Sequence, residues 1–127
     1  MRPRAQSLTE QELEIMKIVW QARTVTVRDV YERLRERRKV AYTTVMTMMN
    51  ILERKGHLRK NPGQDRAYVY EPVQPRSQVM RGMVREFLDR VFDGSARPLL
   101  VHLAEDRRLK ESDLAELRRL IRESEQS

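Results

Sequence analysis

Apolar residues recur at helical spacing in two neighbouring segments at the start of the chain, and both segments open on the same signal. Thr9 can cap a first helix with Glu12 as its capping-box partner, and Thr26 can cap a second helix with Asp29. The pattern therefore predicts two capped amphipathic helices. Their apolar faces comprise Leu13, Ile15, Met16, Val19 and Trp20 in the first, and Val30, Tyr31 and Leu34 in the second.

A third helix is predicted over residues 42 to about 55, and its two faces differ in chemistry. A rotation of about 100° per residue separates them. The apolar face comprises Val45, Met48, Met49 and Leu52, and the polar face comprises Thr43, Thr47, Asn50 and Arg54. The polar face is poor in the Glu and Lys that usually cover a solvated helix. Its hydroxyls, amide and guanidinium suit base edges and phosphates in a major groove, although a face that simply meets water is the alternative interpretation.

Two short β-prone runs, residues 57–60 and 66–70, follow a helix stop at Gly56. They flank residues 61–65, which begin with an Asn-Pro-Gly turn, so the sequence predicts a hairpin. Arg59, Lys60 and Arg66 are expected at its tip and flanks, and His57 is expected near phosphate. Three helices followed by a basic hairpin are the layout of a winged helix-turn-helix, in which the third helix enters the major groove.

The rest of the chain is predicted to form three amphipathic helices: residues 76–93, a short helix after Gly94 and Pro98, and a last helix from Leu109 onward. The first carries two adjacent apolar stripes, more than a helix needs to cover one core. About 55 residues make a marginal free-standing core, so we expect a second copy to cover the surplus. Packing onto the chain's own N-terminal domain is the alternative. The expected dimer contacts are Met80, Met83, Val84, Phe87, Leu88, Val91, Leu100, Leu103, Leu114, Leu117, Leu120 and Ile121.

The predicted protein is thus mainly α-helical. A winged-helix DNA-binding domain is expected over residues 1–74, and a helical dimerisation domain over residues 75–127. The net charge is +7, from 26 Lys and Arg against 19 Asp and Glu. Residues 1–72 hold 15 basic and 9 acidic residues (+6), whereas residues 73–127 hold 11 and 10 (+1). Because the positive charge is concentrated in the first part, we expect that part to bind an anionic partner. The alternative is that the charge reflects only background arginine usage.

Several classes of protein are disfavoured by what the sequence lacks. The chain has no cysteine and only two histidines, His57 and His102, so neither a metal nor a cofactor is expected. An enzyme is the weakest candidate, since the sequence shows no phosphate-cradling loop and no nucleophile beside a base. No apolar run approaches the roughly 20 residues that cross a bilayer, and no apolar signal region opens the chain. A cytoplasmic location is therefore expected.

Several motifs occur in an order that is specific when taken together. They are Leu8-Thr9 before Glu12-Leu13-Glu14-Ile15-Met16 and Trp20, Val27-Arg28-Asp29-Val30, Ala41-Tyr42-Thr43-Thr44-Val45-Met46-Thr47, Leu52, Lys55-Gly56 and Arg66-Ala67-Tyr68-Val69-Tyr70. Across nearly the whole chain, this order resembles the penicillinase-repressor family (BlaI/MecI/CopY). The resemblance implies a homodimeric winged-helix repressor that binds a two-fold-related operator of double-stranded DNA, controlling a resistance or stress-response operon.

The resemblance also implies site residues. The family's recognition-helix positions correspond to Thr43, Thr44, Met46, Thr47 and Asn50. With residues at the edge of that face and the hairpin cations, the expected DNA contacts are Tyr42, Thr43, Thr44, Met46, Thr47, Asn50, Arg54, Arg59, Lys60 and Arg66. Two departures stand out. Ala41 occupies the place of a capping serine in some relatives, and Met46 replaces a hydrogen-bonding residue.

A signal-activated protease is a further partner that the resemblance implies, because the penicillinase branch is inactivated by cleavage at an Asn-Phe bond. The corresponding bond here is His102-Leu103. Copper-responsive relatives carry a cysteine motif that this chain lacks.

The sequence predicts a sequence-specific repressor. Its alternative is a winged-helix module that binds another protein without sequence-specific DNA binding. A steep loss of duplex binding with added salt would separate the two. An RNA-binding module would need more stacking aromatics than Tyr42.

Overall fold

The computed structural model describes residues 7–126, and their first part consists of three helices and a two-stranded hairpin. The helices are α1 (Glu10–Ala22), α2 (Val27–Arg35) and α3 (Tyr42–Arg54). The strands are β1 (Leu58–Pro62) and β2 (Tyr68–Pro72), which pair in antiparallel register. This order of elements agrees with the predicted winged helix-turn-helix.

Both predicted capping boxes are confirmed. The Thr9 hydroxyl accepts from the Glu12 backbone N–H at 3.1 Å, while the Glu12 carboxylate accepts from the Thr9 N–H at 2.9 Å. Thr26 and Asp29 repeat this pair at 3.1 and 2.9 Å. Ala41 gives α3 no side-chain cap, as the sequence indicates.

The predicted apolar face of α3 packs in the core of this part of the chain. Val45, Met49 and Leu52 are fully buried there, and Met48 packs at its edge. The other members of the core come from α1, α2, the segment between them and the hairpin: Ile15, Met16, Ile18, Val19, Val25, Val30, Leu34, Leu58 and Tyr70. The core therefore fixes which side of α3 faces outward.

The end of α3 is closed by a Schellman motif, as the helix stop at Gly56 predicts. Gly56 has φ +89°. Its N–H donates to the Glu53 carbonyl at 3.1 Å, and the N–H of His57 donates to the Leu52 carbonyl at 2.9 Å. Glycine is favoured at this position because it adopts a left-handed conformation without a Cβ clash.

The predicted position of the hairpin turn is wrong. Asn61 and Pro62 belong to β1 and oppose Val69 and Tyr68, and the turn follows them as a 3₁₀ segment, Gln64–Arg66. Register follows the face that packs on the core, which requires Leu58 and Tyr70 to be buried. Pro62 is tolerated because it lies at the end of an edge strand, where a missing N–H breaks no central ladder.

The regular elements that the structure describes after β2 are all helices. They are α4 (Arg76–Phe92), α5 (Ala96–Glu105) and α6 (Glu111–Gln126). The first compact unit of the chain runs to Arg81 and the second begins at Gly82, within α4. Two predicted positions are corrected. Pro98 lies inside the first turn of α5, where a missing N–H costs little, and Leu109 precedes α6.

None of the residues of α4, α5 and α6, all of which the structure describes, is buried. Several large apolar side chains stay open to solvent, with Val84 at 53% and Ile121 at 56% exposure. Within residues 7–126, the structure shows no helix with both the length and the apolarity that a bilayer-spanning segment requires.

Candidate nucleic-acid interface

The outer face of α3 begins with a run of exposed side chains at its N-terminal end. Tyr42, Thr43, Thr44, Met46 and Thr47 are all exposed, with Met46 at 40%. One turn later Asn50 is half-buried, and Arg54 is exposed again. The face therefore presents hydroxyls, methyl groups, an amide and a guanidinium beyond the core, as the rotation of the helix predicts.

The C-terminal end of α3 is tied to α1 by an ion pair that sequence analysis did not predict. Lys55 Nζ lies 2.7 Å from Glu12 Oε1 and 3.3 Å from the Ser7 carbonyl oxygen. Burial raises the pKa of Glu12, but the hydrogen bonds from Lys55 and Thr9 and the charge of Lys55 together outweigh it. The pKa of Glu12 is therefore lowered from its ordinary 4.5.

The N-terminal end of α3 packs against α2 through an aromatic pair. Tyr42 meets Tyr31 edge to face, with ring centroids 5.4 Å apart. The Arg35 guanidinium lies 5.6 Å from the centre of the Tyr31 ring, within the range of a cation–π contact. Tyr42 is thus a packing residue of the helix start as well as an exposed one.

The hairpin carries its three predicted cations in three different environments. Arg59 pairs with Glu71 at 3.1 Å, and the same carboxylate oxygen accepts from the Asn61 amide at 3.2 Å. Lys60 lies 4.1 Å above the centre of the Tyr68 ring. Arg66 is exposed at the tip, with φ +64°, and forms no ion pair within residues 7–126. Arg66 is therefore the hairpin cation most open to an anionic ligand.

Asn50 and the hairpin meet at a contact that sequence analysis missed. The Tyr70 hydroxyl donates to Asn50 Oδ1 at 3.2 Å. Tyr70 also pairs through its backbone with Val25, at N–O distances of 2.7 and 3.0 Å. Because side chains alternate along a strand, the sequence predicts that Tyr68 and Tyr70 lie on the same face of the hairpin. It does not predict which residue of α3 the Tyr70 hydroxyl contacts.

The expectation that His57 lies near phosphate is wrong. His57 is the last residue of the Schellman motif and is 5% exposed, so its side chain is buried in the fold. His102, in contrast, is exposed on α5, where its ring lies 5.9 Å from that of Phe92.

Comparison with known proteins places this geometry in a family. The family model described as penicillinase repressor matches residues 8–123. The chain belongs to the penicillinase repressor family. This confirms the resemblance identified in the sequence, and it confirms that the protein is not an enzyme, because the family consists of transcriptional repressors.

Two curated relatives of this penicillinase repressor family member match along almost their whole length. A protein named transcriptional regulator BlaI, from Mycobacterium tuberculosis, is 38% identical over 120 residues, covering 93% of this chain and 85% of the relative. A penicillinase repressor from Bacillus licheniformis is 25% identical over 116 residues, covering 91% and 90%.

One solved structure supports the fold of the first part. The solution structure of the DNA-binding domain of the repressor BlaI is similar with a TM-score of 0.52 and 26% identity. The match covers 60% of this chain and 92% of that domain. The winged-helix fold predicted for this family member is thereby confirmed.

Proposed function

We propose that this penicillinase repressor family member represses transcription by binding, as a homodimer, to a two-fold-related operator in double-stranded DNA. The observation that carries the proposal is that α3 has one face buried in the core and an opposite face exposed to solvent. Val45, Met49 and Leu52 anchor one side in the core, while Thr43 and Thr47 remain exposed on the other. A helix held in this way can enter a major groove with its hydroxyls and methyl groups toward the base edges.

In this proposal the contacts divide into two kinds. Thr43, Met46, Thr47 and Asn50 face the bases, whereas Tyr42 and Thr44 lie toward the phosphates at the edges of the groove. The cations Arg54, Arg59, Lys60 and Arg66 contact the backbone, with Arg66 at the wing tip as the main contributor, because the charge of Arg59 is already paired with Glu71. The net charge of +6 over residues 1–72 supports this assignment.

The homodimer is proposed from the exposed apolar residues of α4, α5 and α6. None of their side chains is buried within the single chain, and apolar surface of this extent is typical of a protein interface. A second copy that covers it also links two recognition helices. Linkage makes the second half-site contact intramolecular, which raises affinity without any new contact to DNA.

A signal-activated protease is proposed as the partner that ends repression, on the family resemblance alone. The His102-Leu103 bond lies inside α5, so a protease that needs an extended substrate would require this helix to open first. The regulated genes are proposed to belong to a resistance or stress-response operon on the same ground.

The proposal is tested by recovering and sequencing the DNA fragments that the protein binds in cells. A recovered duplex and a scrambled duplex of equal length are then titrated with purified protein over a range of salt concentrations. We expect a shared two-fold-related motif, clear preference for the recovered duplex and a steep loss of affinity with salt. Equal weak binding to both duplexes, with no common motif, would favour the protein-binding module instead.

A further inference from the structure

Tyr70 reaches from the hairpin to α3 and holds one end of the Asn50 side chain. Tyr70 is 2% exposed, and its hydroxyl donates to Asn50 Oδ1 at 3.2 Å. Its backbone pairs with Val25 through two hydrogen bonds and its strand pairs with β1. The hydroxyl therefore acts on Asn50 from a position fixed by the core.

This contact decides which end of the Asn50 amide is engaged within the fold. An asparagine amide carries one acceptor oxygen and one NH₂ group with two donors, on opposite sides of Cγ. Because Oδ1 is turned to the Tyr70 hydroxyl, the NH₂ group is turned away from it. Asn50 shares its helix face with the exposed residues Thr43, Thr47 and Arg54.

The orientation matters because asparagine ordinarily reads adenine with both ends of its amide. Oδ1 accepts from adenine N6 while Nδ2 donates to N7. Guanine instead presents two acceptors, N7 and O6, on its major-groove edge. An asparagine that offers donors alone is matched to guanine.

The geometry points to Asn50 as a specificity-determining residue that Tyr70 orients as a donor, so that it selects guanine over adenine at the base pair it meets. This inference rests on the proposed function, since it requires α3 to lie in the major groove. It adds to that function a base preference and a positioning residue on the wing.

The test measures base preference in the full-length protein. Duplexes randomised across a two-fold-related site are bound, recovered and sequenced for the wild type, Tyr70→Phe, Asn50→Ala and Asn50→Asp. The wild type is expected to prefer guanine at one position of each half-site. Tyr70→Phe releases Oδ1, so the affinity for adenine relative to guanine at that position should rise about tenfold, with the other positions unchanged.

The two Asn50 variants give independent outcomes. Asn50→Ala should remove the preference at that position alone. Asn50→Asp keeps an acceptor for the Tyr70 hydroxyl and turns a second acceptor outward, so the preference should move to cytosine, whose N4 amino group is a donor. Tyr68→Phe is the matched control, because it removes a hydroxyl from the same strand while its ring stays under Lys60, and it should change no preference.

If Tyr70→Phe weakens binding to all duplexes alike and guanine is still preferred, the inference is overturned. Tyr70 then has a purely structural role. If thermal melts show that Tyr70→Phe does not fold, Asn50→Asp becomes the deciding variant. An Asn50→Asp variant whose base preference does not move toward cytosine overturns the inference. A wild-type protein that selects no sequence at all contradicts the proposed function itself. If the wild type selects a clear motif and none of the variants changes it, only the inference about Asn50 and Tyr70 is overturned.

Discussion

Glu12 takes part in two interactions that meet at one carboxylate. It completes the capping box of α1 with Thr9, and it pairs with Lys55 at the C-terminal end of α3. Its side chain is 6% exposed, so little water competes for the charge. Because these partners favour the ionised form, the pKa of Glu12 is lower in the folded chain than in the unfolded chain.

Glu12→Gln should lower the free energy of unfolding by about 1–2 kcal/mol at neutral pH, since a charge-assisted hydrogen bond becomes a neutral one. A lowered pKa stabilises the fold above pH 4.5, and that contribution is lost as the pH falls from there through the folded-state pKa. The difference between variant and wild type should therefore shrink below pH 4.5. Urea unfolding across this range measures it, with exposed Glu10→Gln as the control. A difference that is the same at every pH would contradict the assignment.

Thr47 is the exposed hydroxyl at the middle of the outer face of α3. Thr47→Ala should reduce the preference for operator over scrambled duplex by about 1–3 kcal/mol if its hydroxyl or methyl group meets a base edge. The fold should persist, because alanine favours helix. Competition titrations give the ratio, and Thr24→Ala, an exposed threonine outside the helices, is the matched control. An unchanged ratio would remove Thr47 from the base contacts.

The shape of the hairpin depends on the tight turn between its two strands. A Cβ built on Gly63 would lie 2.6 Å from the Ala67 carbonyl oxygen and 2.9 Å from Val69 Cγ1, so the turn closes tightly only with glycine there. Asp65 and Arg66 take left-handed conformations at φ 57° and 64°. This tight turn places the Arg66 guanidinium at the end of the wing.

Arg66→Ala should weaken binding to specific and scrambled duplexes alike, because a phosphate contact carries no sequence information. In a dimer with two wings, the slope of log affinity against log salt should flatten by about 2, close to 0.9 for each lost contact. Titrations at several salt concentrations measure the slope, and Lys17→Ala, an exposed cation on α1, controls for net charge. If the slopes of Arg66→Ala and Lys17→Ala agree, the wing lies outside the interface.

The whole molecule combines a part with a well-buried core and a part without one. The first contains residues that are fully excluded from solvent, whereas α4, α5 and α6 contain no buried residue. Most of the stability of a helix in a protein comes from packing its apolar face against another element. Because these helices bury no residue within one chain, we expect a second copy to provide that packing. We therefore expect the association of two copies and operator binding to be lost together.

The double variant Leu117→Glu/Ile121→Glu should be monomeric and should lose most of its operator affinity, because it buries charge in the proposed interface. Analytical ultracentrifugation and operator titration measure the two properties, and thermal melting reports whether the first part stays folded. The control Ser112→Glu/Gln126→Glu adds the same charge at exposed polar positions of α6 and should remain dimeric. A monomer that keeps full operator affinity would refute the role of dimerisation.

The sequence alone was sufficient for the features that depend on nearby residues. Capping boxes join residues three apart, the faces of α3 follow from helical rotation, and Gly56 marks a helix end because its conformation suits glycine. These local rules were sufficient for the order of elements, whereas the family was identified by the resemblance of the motifs taken together. The hairpin turn was misplaced because strand register depends on which residues pack on the core, and the same burial removed His57 from the surface.

Only the tertiary structure decided the contacts between distant segments. Lys55 meets Glu12 across 43 residues of chain, and Tyr70 meets Asn50 across 20. A sequence lists donors and acceptors, but the packing of helices and strands determines which of them come within hydrogen-bond distance. For this protein the sequence identified the helix that carries the candidate interface, and the fold determined how one of its side chains is oriented.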